Sequence, residues 1–264
     1  MRIRATVAAV TGALALSALA VPAAQAAPAP NVTFTKVTVN NGKPIVARAA
    51  GTTSVPVTYT FRHTRGLSIN PNHFASGPVL YLGRTIDMAK VFVGDEPGTC
   101  TATSSTVAKC KGFIDLHTSG ETSRLLNTSA RKWNVGAIAI TDSGYFRKQG
   151  GLGTSQIKFH SKLTATDATP EAVKAGETLT VKASLSRANW RTNGYDGYPN
   201  VPVALQFKKA GAATFTTVKT VNTDRRGALT TTVKASVDGM YRYSFAGSTN
   251  TAPVAATGDY IDVQ

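Results

Sequence analysis

Four histidines, two cysteines and fourteen carboxylates are the stock from which this chain could build an acid–base or metal centre. His63, His73, His117 and His160 are dispersed, and no two stand at the spacing of a zinc-binding helix. No serine sits in a Gly-x-Ser-x-Gly elbow, and no glycine-rich loop leads into a helical stretch. His63 and His73 could meet Asp87 or Asp95 across a loop, but any chain with four histidines permits such a grouping. Asp95-Glu96 is followed by Pro97-Gly98 and reads as a turn. Asn222 to Gly227 imitates half of a calcium loop, yet Arg225 and Arg226 inside it oppose a dication, and a hairpin turn fits better. The expectation is a chain with no catalytic residues, no metal site and no cofactor: not an enzyme.

Cys100 and Cys110 are read as a disulfide, and the reading depends on compartment. Arg2 and Arg4, the apolar run Ala5–Val21 and the small-x-small triplet Ala24-Gln25-Ala26 form a signal peptide, residues 1–26, cleaved after Ala26. The run falls short of the roughly 20 apolar residues that cross a bilayer, and Pro22 follows it. No later stretch is apolar enough to span, no cysteine at the cleavage point offers a lipid anchor, and Asp259–Gln264 carries no hydrophobic or wall-sorting tail. A secreted, extracellular protein that does not span the membrane is expected. In that oxidising compartment two cysteines on the arms of a short hairpin join. Closing such a loop stabilises by roughly 2–3 kcal/mol. Two cysteines without a histidine at ligand spacing are too few for zinc.

The most distinctive surface candidate is the stretch Ala188 to Pro199. Trp190, Tyr195, Asp196 and Tyr198 in a long loop with Asn and Arg offer a stacking platform for a sugar or another small ligand. The alternative is that Trp190 and Tyr198 fold back to cap a sandwich. The disulfide loop is a weaker candidate for an inhibitor-like loop, since only Lys109 could anchor it.

These residues must be positioned by strands. Leu179, Val181, Ala183 and Leu185 alternate with Thr178, Thr180, Lys182 and Ser184. Val201 to Phe207, Leu229 to Ala235 and Tyr241 to Phe245 repeat the period of two, which marks strands with one buried face. Further strands near Lys162–Thr166, Ala213–Val221 and Asp259–Val263 bring the count to seven in about 100 residues, the number of an immunoglobulin-like sandwich. Tyr241 opens the penultimate strand, where such folds place a tyrosine bonded back to the preceding corner; a plain core tyrosine is the equal alternative.

The first half follows the same pattern less tidily. Val32, Phe34, Val37 and Val39 change parity near Thr35-Lys36, which predicts a bulge. Val55 to Phe61 and Trp133 to Ala139 are clean strands, Thr141-Asp142-Ser143-Gly144 a hairpin turn, and Ile157 and Phe159 the close. From second to penultimate strand the first half takes 78 residues (133 − 55) and the second 62 (241 − 179), leaving 16 extra residues around the disulfide hairpin. The predicted architecture is all-β: two tandem immunoglobulin-like β-sandwiches, residues 27–160 with an inserted disulfide hairpin and residues 161–264. No Pro/Gly/Ser tract separates them.

Net charge is +15, from 29 basic and 14 acidic residues, with no basic run longer than two. No recognition helix or stacking motif accompanies the pairs, so no nucleic acid is expected as partner. Dispersed charge suits a solvated surface or an anionic cell-wall polymer or glycan.

The stretch Ser161 to Val263, with Arg187-Ala188-Asn189-Trp190, Val203-Ala204-Leu205-Gln206-Phe207-Lys208-Lys209, Thr217 to Val221 and Asp238 to Gly247, resembles a repeat of exported actinobacterial proteins with tandem bacterial immunoglobulin-like domains. The first half matches through its disulfide hairpin and the Trp133 strand. The resemblance implies fold and export and supplies no catalytic residues. Export, dispersed charge and the lack of a catalytic motif together point to a secreted, non-enzymatic binding or structural module associated with the cell wall; the alternative is a carbohydrate or small-ligand binder using the aromatic loop of the second domain. The exported antibiotic-carrying chromoproteins are similar only in outline, because their second disulfide has no counterpart here.

Overall fold

The computed structural model describes residues 31–120 and 124–264; the signal peptide expected at 1–26 lies outside the described residues. The first sandwich is built from β1 (Val32–Val39), β2 (Ile45–Ala47), β3 (Thr52–His63), β4 (Phe74–Tyr81) and β5 (Val91–Val93). It continues with β6 (Thr99–Ser104), β7 (Val107–His117), β8 (Lys132–Thr141), β9 (Phe146–Gln149) and β10 (Thr154–Phe159). One sheet runs β1-β3-β7-β6; the other runs β2-β10-β8-β4-β5, with β9 added to β8. β2 lies parallel to β10, so the opening segment is shared between the two sheets. This order corresponds to strands A-B-E-D facing G-F-C-C′, the immunoglobulin arrangement.

The second sandwich repeats the plan. Its strands begin with β11 (Ser161–Leu163), β12 (Asp167–Thr169), β13 (Ala172–Val173), β14 (Thr178–Asn189) and β15 (Gly194–Gly197). They continue as β16 (Pro202–Lys209), β17 (Thr216–Asn222), β18 (Ala228–Lys234), β19 (Gly239–Phe245), β20 (Val254–Ala255) and β21 (Asp259–Val263). β14 pairs with β11, β12, β15 and β18, while the facing sheet runs β13-β21-β19-β16-β17 with β20 against β19. β13 is parallel to β21, the counterpart of the β2–β10 pair.

The alternation in the sequence becomes the core. Leu179, Val181 and Leu185 from β14 meet Val203 and Leu205 from β16 and Tyr243 and Phe245 from β19, all buried. Full burial of each such side chain is worth about 1.5–3 kcal/mol. Tyr243 crosses the core to donate its hydroxyl to the Val181 carbonyl at 3.0 Å, and burial pushes that hydroxyl up to about 12. Tyr241 is a core tyrosine, tilted against Phe207 with 4.7 Å between ring centroids. The hydroxyl bond that joins the sheets therefore belongs to its neighbour two residues on.

The bulge expected in the opening strand is present: the β1–β3 register shifts between Phe34 and Lys36. Cys100 and Cys110 form a disulfide and stand directly opposite each other on β6 and β7. β7 is an inner strand between β3 and β6, so this arm of the hairpin belongs to the sheet, while β6 has no counterpart strand in the second sandwich.

The Asn222–Gly227 segment is a turn but not a hairpin, since β17 and β18 belong to opposite sheets. Asp224 accepts from the backbone N–H groups of Arg226 and Ala228 at 2.7 and 2.8 Å, which holds its carboxyl below the usual range. Gly227 takes φ 84° there, a left-handed conformation that favours glycine.

Compactness divides the chain differently from sheet membership. One unit gathers the described residues up to Val39, Pro56–Ile114 and Val135–Gly153; the other gathers Asn40–Val55, the described residues of Asp115–Asn134, and Thr154–Gln264.

Candidate functional site

In the second unit, the aromatic stretch takes a shape its sequence does not announce. β14 continues to Asn189, Asn193 turns the chain at φ 54°, and β15 returns antiparallel along β14. The supposed long loop is a β-hairpin. Trp190 falls at its tip and is only 1% exposed. Its indole N–H donates to the Arg48 carbonyl at 2.8 Å, and its ring lies 4.4 Å from that of Phe159. Its backbone N–H donates to Asn127 Oδ1 at 2.9 Å. A ring covered in this way cannot stack on a ligand, so Trp190 is removed from the candidate platform. The Asn189–Arg191 backbone is fixed by two amide side chains, that of Asn189 itself and that of the sequence-distant Asn127. Asn127 Nδ2 donates to Asn189 Oδ1 at 2.8 Å, and Asn189 Oδ1 also accepts from the Arg191 N–H at 3.0 Å.

The other three expected residues do not converge on one cleft. Tyr195 is half-buried; its hydroxyl meets His160 Nδ1 at 3.1 Å, and Lys162 Nζ sits 3.8 Å above its ring. Asp196 is exposed and accepts from Asn189 Nδ2 at 2.6 Å. Tyr198 is half-buried, edge-on to Phe245 at 5.8 Å, with the Arg187 guanidinium 4.4 Å over its ring. Arg187 also lies 4.9 Å from the Phe159 ring, so one cation serves two aromatics. Burial, then the nearby charges of Lys162 and Arg48, hold the His160 imidazole below its ordinary value. These contacts organise the hairpin and set a cation over each of the two tyrosine rings.

His73 pairs with Asp142, Nδ1 to Oδ2 at 2.7 Å, which lowers the Asp142 carboxyl. His63 is buried with Nδ1 against the Thr64 carbonyl at 3.0 Å, and His117 Nδ1 meets the Thr52 hydroxyl at 3.0 Å. Among the described residues no group of three or more His, Cys, Asp and Glu is placed to hold a metal.

Beside the disulfide, Tyr59 is buried on β3. Its hydroxyl lies 2.9 Å from Ser76 Oγ, 3.0 Å from the Ser76 carbonyl and 3.9 Å from Cys100 Sγ. Burial raises this hydroxyl to about 12. A Cβ at Gly98 would collide with the same hydroxyl, so glycine is required by close approach. The cluster joins β3, β4 and β6.

A cluster absent from the sequence reading lies on the outer face of the β13-β21-β19-β16-β17 sheet. Because Leu205, Phe207, Tyr241 and Tyr243 point inward, Gln206, Lys208 and Arg242 point outward. Arg242 stands directly across from Gln206, and its Nε donates to Gln206 Oε1 at 2.9 Å. Its guanidinium carbon lies 3.7 Å from the centroid of Phe215, and Lys208 Nζ approaches the same ring at 5.1 Å. The available signal was the outward parity of the three polar residues. Phe215 falls within the strand expected near Ala213–Val221, but it precedes β17, and that run gave no sign of its neighbours.

The strand orders define two tandem immunoglobulin-type sandwiches. No family model matches the chain, and no curated protein matches it. Among solved structures it is similar to the D00-D0 domain of intimin, at 15% identity over 85% of this chain and 98% of that one, with a TM-score of 0.27. It is also similar to the CbhA fibronectin(III)-like modules of Clostridium thermocellum, at 15% identity, 86% and 92% coverage and TM-score 0.28. Murine CEACAM1b is similar at 11% identity, with 89% and 100% coverage and TM-score 0.31. The fold assignment rests on strand order and register rather than on scores of this size.

Proposed function

We propose that this chain is a secreted, non-enzymatic binding module that associates with anionic polymer of the bacterial cell wall. In this reading residues 27–160 and 161–264 are its two sandwich domains. The observation that carries the reading is the disposition of charge. Twenty-nine basic residues stand against fourteen acidic ones. No described Lys or Arg is buried, and all but the half-buried Lys158, Arg187, Lys208 and Arg242 are exposed. A surface of one dominant sign attracts polyanions and does so in a salt-dependent way. The disulfide supports an oxidising, extracellular setting. Carbohydrate binding through the aromatic hairpin is the weaker reading, because it would have to proceed without the Trp190 ring.

The test is partition of the purified protein between buffer and isolated wall, at low and high salt, with walls stripped of anionic polymer as control. Retention at low salt, release at high salt and loss on stripped walls are expected. Partition indifferent to salt removes the reading.

A further inference from the structure

We infer that the outer face of the β13-β21-β19-β16-β17 sheet is a built anion-recognition site for an acidic polysaccharide, with Arg242 as its fork; this deepens the wall-polymer reading and rests on it. Exposed arginines ordinarily sample many rotamers. Arg242 is held on two sides, by Gln206 at Nε and by the Phe215 ring under its plane. Both restraints come from neutral groups, so its charge remains uncompensated. The terminal nitrogens keep the planar, two-pronged edge that matches a carboxylate or phosphate. Lys208 adds a second positive charge beside the same ring, and neither cation is paired with a carboxylate among the described residues. Two like charges gathered without a counter-ion favour an anionic occupant.

The rest of the face suits an extended sugar chain. Lys208 is paired across the sheet with Met240, and Met240 with Tyr260, so the lysine and this 48% exposed tyrosine lie two strand spacings apart, about 10 Å. The next positions towards the β20 end are small, Ala204 opposite Ser244 and Ser244 opposite Ala255. The face thus offers cations at one side and an aromatic ring for the apolar face of a sugar at the other, with the half-buried Met240 between them and small residues alongside.

The experiment uses the whole secreted chain on immobilised polygalacturonate and poly(glycerol phosphate), which separate a carboxylate from a phosphodiester source, with neutral dextran as blank. Arg242→Gln is expected to weaken binding to at least one acidic polymer roughly tenfold. Arg242→Lys, which keeps the charge but not the fork, should recover little of it. The double variant Lys182→Gln/Lys234→Gln removes two exposed charges from the opposite sheet and should stay within about twofold of the parent. Circular dichroism checks that each variant is folded. If the double variant loses as much as Arg242→Gln, or Arg242→Lys restores binding fully, diffuse charge suffices and the site is overturned while the wall-polymer reading stands. If polyglutamate or single-stranded DNA binds as tightly as the better polysaccharide and with the same dependence on Arg242, the glycan assignment is overturned. If the parent binds neither acidic polymer, the functional reading itself fails.

Discussion

Gln149 grips the main chain of Phe34 from both sides: its Oε1 accepts the Phe34 N–H at 2.8 Å, and its Nε2 donates to the Phe34 carbonyl at 2.8 Å. The contact falls where the β1–β3 register shifts, just before Lys36. β1 is an edge strand of its sheet, and a side-chain amide here occupies backbone groups that no further strand pairs.

Removal of that amide is expected to destabilise the protein measurably. Gln149→Ala leaves a part-buried donor and acceptor of Phe34 without partners, and urea unfolding should show a loss of about 1–3 kcal/mol. Gln149→Glu keeps an acceptor and loses the donor, so a stability between the two is expected. An alanine variant as stable as the parent would show that water replaces the amide at no cost.

Much of this architecture was legible because period-two alternation is local. The parity change between Phe34 and Val37 sufficed to place the β1 bulge, and Leu179 to Leu185 sufficed to place β14. What was not legible depends on distant partners. Trp190 is buried by Phe159, Arg48 and Asn127, residues 31, 142 and 63 positions away. Gly194–Gly197 has too little side-chain pattern to read as a strand, although it pairs with β14 from Ser186 to Asn189. The Arg242 cluster needed the register of three strands, one of them shifted between Leu205 and Gln206, before Phe215 could be placed beside it.

The disulfide should act chiefly on the unfolded chain. Its two cysteines are ten residues apart, so the Cys100→Ser/Cys110→Ser variant is expected to lose roughly 2–3 kcal/mol in denaturant unfolding. Tyr59→Phe, which removes the hydroxyl bonded at Ser76, should cost about 1 kcal/mol in the oxidised protein. If reduction of the parent leaves the unfolding midpoint unchanged, the disulfide contributes nothing to the fold.

Alkaline stability should carry the signature of two buried phenols. Tyr59 and Tyr243 are both raised by burial from 10.0 to about 12. A folded-state value above the unfolded one means that the stabilisation is fully present below pH 10.0 and is lost as pH rises through about 12. Stability measured by urea unfolding should therefore fall across that window. Tyr243→Phe loses the bond to the Val181 carbonyl and is less stable at neutral pH, but its decline above pH 10.0 is shallower. An alkaline slope identical in parent and variant would mean that Tyr243 ionises freely in the folded state.

The two tryptophans provide a direct reading of the hairpin. Trp133 and Trp190 are 6% and 1% exposed, and each indole N–H is bonded to a backbone carbonyl, Ser129 and Arg48 respectively. Emission of the native protein should be blue-shifted and poorly quenched by iodide, and it should shift red only on unfolding. Trp190→Phe keeps an aromatic surface against Phe159 but strands the Arg48 carbonyl, a loss of about 1–3 kcal/mol. Trp190→Ala also opens a large void, and a total of about 3–5 kcal/mol is expected. Asn127→Ala separates packing from positioning: it leaves the indole intact but frees the Trp190 N–H and removes one of the two bonds to Asn189 Oδ1, so increased iodide quenching at nearly native stability would mark loosening of the tip. Strong quenching of the parent itself would show that the ring is accessible in solution, and would return Trp190 to the list of ligand-stacking residues.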